Sequence, residues 1–185
     1  MPFRALGLEP RVLKAVQEAG YSEPTPIQLS AIPLVMGGHD VIGIAQTGTG
    51  KTAAFTLPIL TRLGGAGAGS QRAGSRVLVL APTRELAAQI EENVRAYGKH
   101  LPVRMATVFG GVGEQAQIQA LRNGVHIIIA TPGRLLDLMG RGCANFSGLQ
   151  FLVLDEADRM LDMGFLPDIR RLIRALPRKR QTLMF

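Results

Sequence analysis

Cysteine is almost absent from this 185-residue chain. Cys143 stands alone, so there is no internal disulfide and no thiolate metal cluster, and its ordinary role is that of a small buried apolar residue. Histidine is nearly as scarce. His39, His100 and His126 lie far apart without ligand-like spacing, which excludes a zinc site of the usual pattern. No apolar run approaches the ~20 residues of a membrane span, and the N-terminus lacks a signal-peptide pattern, so a cytoplasmic protein with no membrane role is expected. Acidic residues are also short, 14 against 21 Lys and Arg, for a formal net charge of +7. That balance favours a polyanionic partner. Hydrophobic residues make up 46%, enough for a full core, and the length suits one well-buried domain.

Six short β-type runs recur, at 41–45, 77–81, 105–109, 126–130, 151–155 and 182–185. Several are apolar throughout, as expected for parallel strands covered on both faces. Helical patterns at 11–19, 26–36, 51–63, 85–97, 113–122, 134–139 and 167–176 fall mostly between them, with Gly20, Gly98, Gly124 and Gly140 as candidate stops. Alternating β and α units predict an α/β fold, a doubly wound parallel sheet flanked by helices, with ligands at the carboxyl ends of the strands. The run Gly64-Gly65-Ala66-Gly67-Ala68-Gly69-Ser70 reads as a mobile loop without chemistry of its own.

The most informative segment is Ala45-Gln46-Thr47-Gly48-Thr49-Gly50-Lys51-Thr52, directly after the first apolar run. Gly48 and Gly50 permit backbone geometry that a Cβ forbids, so successive N–H groups can turn around an anion. A helix expected near Lys51 adds the positive end of its dipole. Lys51 can reach the β- and γ-phosphates, and the Thr52 hydroxyl can ligate Mg²⁺. Ala45 stands where the strict pattern has its first glycine. At the end of another apolar strand come Asp155-Glu156-Ala157-Asp158. One carboxylate there can hold Mg²⁺, usually through water, and the next can orient or deprotonate an attacking water.

With these two segments the sequence resembles the DEAD-box family of ATP-dependent RNA helicases, over the whole chain. Gly20-Tyr21-Ser22-Glu23-Pro24-Thr25-Pro26-Ile27-Gln28 is similar to the family's adenine-reading Q motif, with Phe3 as its upstream aromatic. The segments Pro82-Thr83-Arg84-Glu85-Leu86-Ala87, Gly110-Gly111 and Thr131-Pro132-Gly133-Arg134 match its RNA-backbone motifs in order. The opening and residues 21–28 look most like the bacterial RhlE-type subgroup. The resemblance implies a RecA-like first domain, with a Q-motif helical region at 1–38 packed on a core at 39–185. It also implies ATP or ADP with Mg²⁺ as ligands, and a catalytic set of Lys51, Asp155, Glu156 and Asp158. Nucleotide contacts are expected at Phe3, Tyr21, Thr25, Gln28, residues 45–50, Lys51 and Thr52.

The chemistry of the residues fits those roles. A carboxamide such as that of Gln28 offers a donor beside an acceptor, which matches adenine N6 and N7 and mismatches guanine. Tyr21 can stack on a base; Phe3 either contacts the pocket or packs in the core. Pro82, Thr83, Arg84, Gly110, Gly111, Thr131, Pro132, Gly133 and Arg134 all follow apolar strands and so share one edge. There they can serve an RNA backbone, or be strand-to-helix turns with Thr83 and Thr131 as caps.

The family's next motif and its second RecA-like domain are not in the sequence, so an isolated, monomeric first domain is expected, with RNA and that second domain as partners. Without an arginine finger, typically worth ~10³–10⁵ in rate, hydrolysis is expected to be very slow and unwinding absent. Two other readings stay open: a DNA-acting helicase ATPase domain, and a non-catalytic RNA- or protein-binding module with a relic ATP site.

Overall fold

The computed structural model describes residues 2–65 and 74–185. Its chain divides into two compact units, one made of Met1–Gln71, Glu92–Val103 and Phe185, the other of Arg72–Glu91 and Arg104–Met184.

In the first unit a short 3-10 helix, Phe3–Leu6, precedes α1 (Pro10–Glu18) and α2 (Pro26–Met36). The Glu9 carboxylate accepts the backbone N–H groups of Arg11 and Val12 at 2.7 and 3.2 Å, which starts α1 with Pro10 in its first turn. Strand β1 is only Val41–Ile42, shorter than the expected 41–45, because the chain leaves extended pairing as it enters the glycine-rich loop. Beyond it Ile44 is 93% exposed. Helix α3, Lys51–Gly65, is apolar almost all round and buried from Ala53 to Thr61. It packs on α2, and Phe55 meets the Phe185 ring at 5.5 Å. Gly64 and Gly65 therefore close this helix, while residues 66–70 of the expected loop lie outside the described residues.

The second unit holds β2 (Val77–Leu80), β3 (Met105–Val108), β4 (Ile127–Ala130), β5 (Phe151–Leu154) and β6 (Gln181–Met184). They are parallel in the order β6-β5-β2-β4-β3. β2, β4 and β5 are buried at every position, which explains their unbroken apolar sequences. Between the strands run α5 (Gln115–Arg122), α6 (Pro132–Gly140), α7 (Ala157–Asp162) and α8 (Leu166–Ala175). α4 (Arg84–Tyr97) begins in this unit and ends in the first.

Some boundaries differ from the sequence-based ones. α6 starts at Pro132 rather than 134, since proline's fixed φ suits a first helical turn. It includes Gly140, and the left-handed stop is Gly142, φ 68°. Gly98 does not adopt the left-handed conformation, whereas Gly20 and Gly124 do. Neither the 3-10 helix nor α7 was expected; with four and six residues they are too short to show a period.

Candidate nucleotide loop and nucleic-acid edge

In the first unit, Gly48 and Gly50 have φ of 81° and 88°, conformations costly to any residue with a Cβ. The Thr49 hydroxyl donates to the Gln46 carbonyl at 2.6 Å and closes the loop on itself. α3 then starts at Lys51, and the Gly50 carbonyl accepts the Ala54 N–H at 3.1 Å. The first N–H groups of a helix have no intrahelical acceptor, so those at Lys51, Thr52 and Ala53 are suited to an anion.

Gln28 is 2% exposed, and its amide is engaged at both ends. Oε1 accepts the Thr25 N–H at 3.0 Å, and Nε2 donates to the Gly50 carbonyl at 3.1 Å. A Cβ on Gly50 would lie 2.3 Å from that nitrogen. Gln28 thus fastens the start of α2 to the end of the loop, a role that sequence reasoning did not assign. One hydrogen of Nε2 and one lone pair of Oε1 are not used by these two bonds. Phe3, 4% exposed, is core in this structure. Tyr21 is 45% exposed, with its ring set edge-on to Tyr97 at 6.1 Å and its hydroxyl accepting from Tyr97 at 3.4 Å. Burial, and then the Tyr21 hydroxyl, push the Tyr97 hydroxyl above the usual tyrosine range. Nothing local could have paired two tyrosines 76 residues apart.

In the second unit the remaining motif residues sit at the carboxyl ends of parallel strands. Asp155 follows β5, is 3% exposed and donates its N–H to the Leu80 carbonyl at 2.9 Å. Its Oδ1 accepts the Glu156 N–H at 3.1 Å. Glu156, at φ 50° and ψ 50°, is the one non-glycine with positive φ among the described residues, and its carboxylate pairs with Arg159 at 2.9 Å. Asp158 is exposed and accepts the Arg159 N–H at 2.9 Å. Arg159 was not among the expected site residues.

Thr83 caps α4, its hydroxyl accepting the Leu86 N–H at 3.2 Å. Thr131 occupies the equivalent place before α6 without a side-chain cap bond. Arg84 pairs with Glu85 at 2.8 Å and reaches 3.1 Å from where a Cβ on Gly111 would stand, which brings the 82–84 and 110–111 segments together. Gly111 has φ 80°; Gly110 and Gly133 face open space. Pro132 is buried as the first residue of α6, and Arg134 Nη1 is buried with no hydrogen-bond partner among the described residues. Among those residues no three His, Cys, Asp or Glu side chains cluster closely enough to hold a metal by themselves, and no helix is long and apolar enough to cross a membrane.

A family model described as DEAD/DEAH box helicase matches residues 25–185. The chain belongs to the DEAD/DEAH-box helicase family. It is 47% identical over all 185 residues to the DEAD-box ATP-dependent RNA helicase CshA of Streptococcus pneumoniae, covering 34% of that protein. It is 46% identical over 183 residues to DEAD-box ATP-dependent RNA helicase 30 of Arabidopsis thaliana, covering 99% of this chain and 31% of that one. This DEAD-box chain therefore spans about a third of the length of the curated relatives it matches. Among solved structures, a DEAD box protein from the hyperthermophile Methanococcus jannaschii superposes on 100% of the chain and 49% of its own, with a TM-score of 0.92 and 34% identity. The α/β, RecA-like fold of this DEAD-box domain follows from that likeness together with the parallel sheet.

Proposed function

We propose that this domain binds ATP and ADP with Mg²⁺, contacts an RNA backbone, and in a longer protein couples ATP hydrolysis to local unwinding of RNA. The observation that carries the reading is the loop at 48–50: two left-handed glycines, the second against the Gln28 amide, at the start of a buried helix. A side chain at Gly50 would fill that cradle. Lys51 takes the β- and γ-phosphates, and Gln28, with Thr25 beside it, reads adenine with its remaining donor and acceptor. Tyr21 stacks on the base, and Phe3 supports the pocket from the core.

The Thr52 hydroxyl and the Asp155 carboxylate are hard oxygen donors that fit Mg²⁺, Asp155 partly through water. When bound, the ion neutralises charge on the phosphates. Glu156 orients the attacking water, held in place by Arg159, and Asp158 completes the acidic turn. Thr131, Arg84, Arg134 and the exposed peptide groups of Gly110, Gly111 and Gly133 hold RNA phosphates, which carry no base code. Alone, the domain acts as a cytoplasmic monomer that binds nucleotide, hydrolyses it very slowly and does not unwind. Residues 21–28 support placing it in the RhlE-type subgroup.

Calorimetric titration with ADP and GDP tests the proposal. ADP binds more tightly, Lys51→Ala abolishes most binding without shifting the melting temperature, and Gln28→Ala erases the adenine preference, worth ~1–3 kcal/mol. Equal affinity of the wild type for ADP and GDP would overturn the adenine reading.

A further inference from the structure

The chain's surplus of positive charge is not explained by the motif edge of the second unit. The turns there carry Arg84 and Arg134, but also Glu85, Glu114, Asp155, Glu156 and Asp158. The opposite edge, where the chain enters the same strands, is different. Arg180, Gln150, Arg76, His126 and Arg104 immediately precede β6, β5, β2, β4 and β3, in that spatial order. Val77 pairs with both Ile127 and Phe151, Met105 with Ile127, and Phe151 with Gln181, so these five residues form one row. Hydrogen bonds knit the row. His126 N–H donates to the Arg104 carbonyl at 2.8 Å, Arg76 N–H to the His126 carbonyl at 2.9 Å, and Gln150 N–H to the Arg76 carbonyl at 2.8 Å. Arg76, 8% exposed, is held by Gln150 Oε1 at 3.1 Å. Four inter-strand spacings give the row a length of roughly 19 Å.

Exposed cations flank it: Arg122 in the last turn of α5, Arg174 in that of α8, and Arg178 and Lys179 in the turn before β6. None of these, nor Arg104, forms an ion pair among the described residues. Segments 74–76, 122–126, 141–150 and 174–180 contain no Asp or Glu. Helix dipoles account for Arg122 and Arg174, but Arg104, Arg178 and Lys179 lie outside helices. Unpaired like charges so placed cost stability.

We propose that this edge is a second RNA-backbone surface, separate from the motif edge, that holds a strand through its phosphates. Arginine forks suit phosphate oxygens, and a row along a sheet edge suits a linear polyanion. No large exposed apolar side chain lies in these segments; Ile173, beside Arg174 at their border, is 37% exposed but stands alone, so the central apolar cluster of a protein interface is missing.

The test uses the 185-residue chain with Arg122→Gln, Arg178→Gln and Lys179→Gln combined. Binding of a labelled uridine 20-mer is followed by fluorescence anisotropy across a salt series. We expect roughly tenfold weaker binding at low salt, and a salt slope lower by about 2, from ~0.7 for each lost single-strand phosphate contact. Melting should stay within about two degrees of wild type, as for other exposed substitutions. Arg134→Ala on the motif edge should weaken binding by a factor that multiplies with this one. Wild-type affinity and slope in the triple variant would overturn the second surface, as would competition by polyglutamate equal to that by RNA. Naming RNA rests on the proposed function; a wild type that binds no RNA at any salt would overturn both, whereas failure of the triple variant alone spares the motif edge.

Discussion

At the carboxyl ends of β2, β3, β4 and β5 the chain turns through residues 82–84, 110–111, 131–134 and 155–158; at their amino ends it enters through Arg76, Arg104, His126 and Gln150. The strands between are four residues long, so both edges rest on the same core, yet their chemistry is opposite. The motif edge mixes arginines with carboxylates and places a glutamate in a left-handed conformation. The segments of the entering edge contain no Asp or Glu, though Arg141 there pairs with Glu114 and Asp137, and the left-handed positions of these segments, Gly74, Gly124 and Gly142, are all glycine. A glycine would be cheaper at the φ of Glu156. The contact proposed for the entering edge rests on charge and on no strained backbone.

The largest expected effect comes from removing a strand that belongs to both edges. Ending the chain at Arg180 deletes buried Gln181, Leu183 and Phe185 and strips the β6 partners from Phe151–Leu154, which keeps only β2. A loss of about 4 kcal/mol or more is expected, and urea unfolding measures it. A truncated chain as stable as the full one would show that the sheet does not need β6.

Glu156 sharpens the comparison from the motif side. Glu156→Val places a β-branched residue at φ 50° and should lower stability by about 2 kcal/mol, while Glu156→Gly should unfold at the wild-type urea concentration or above it. Equal stabilities for the two variants would show that no strain resides there.

The smallest effect is expected at His126 on the entering edge. Burial first, then Arg104 and Arg76, hold its pKa below the ordinary 6.5, and Nδ1 accepts the Arg104 N–H at 3.0 Å. The unfolded chain then binds the proton more readily than the folded one. Stability contributed by neutral His126 is therefore full above 6.5 and declines as pH falls below it. Melting between pH 7.5 and 5.5 should drop less in His126→Asn, whose amide oxygen can accept the same N–H. An unchanged acid drop would separate His126 from the row's electrostatics.

Much of this was legible beforehand. Pro26–Met36 formed with the expected bounds, because Thr25 and Pro26 are start signals read over four residues. α3 began at Lys51, where the glycine-rich loop ends. The acidic turn followed β5 as the sequence indicated, although Asp155 itself stays buried at the strand's end. The cap expected at Thr83 formed and the one at Thr131 did not; the engagement of Gln28 with Gly50 and the meeting of Arg84 with Gly111 were not legible. Each depends on two segments arriving at a fixed distance, and neither segment carries a signal for the other.

The sequence by itself determined the period of the longer elements, the glycines of the 48–50 loop and the acidic turn after β5, because these follow from steric and hydrophobic rules over a few neighbours. Only the tertiary structure decided which polar groups are already engaged and which remain for a ligand. It alone, too, aligned Arg76, Arg104, His126 and Arg180, scattered over more than a hundred positions, into one row. Parallel register does this, since it fixes the residues before every strand at a common edge whatever their distance along the chain.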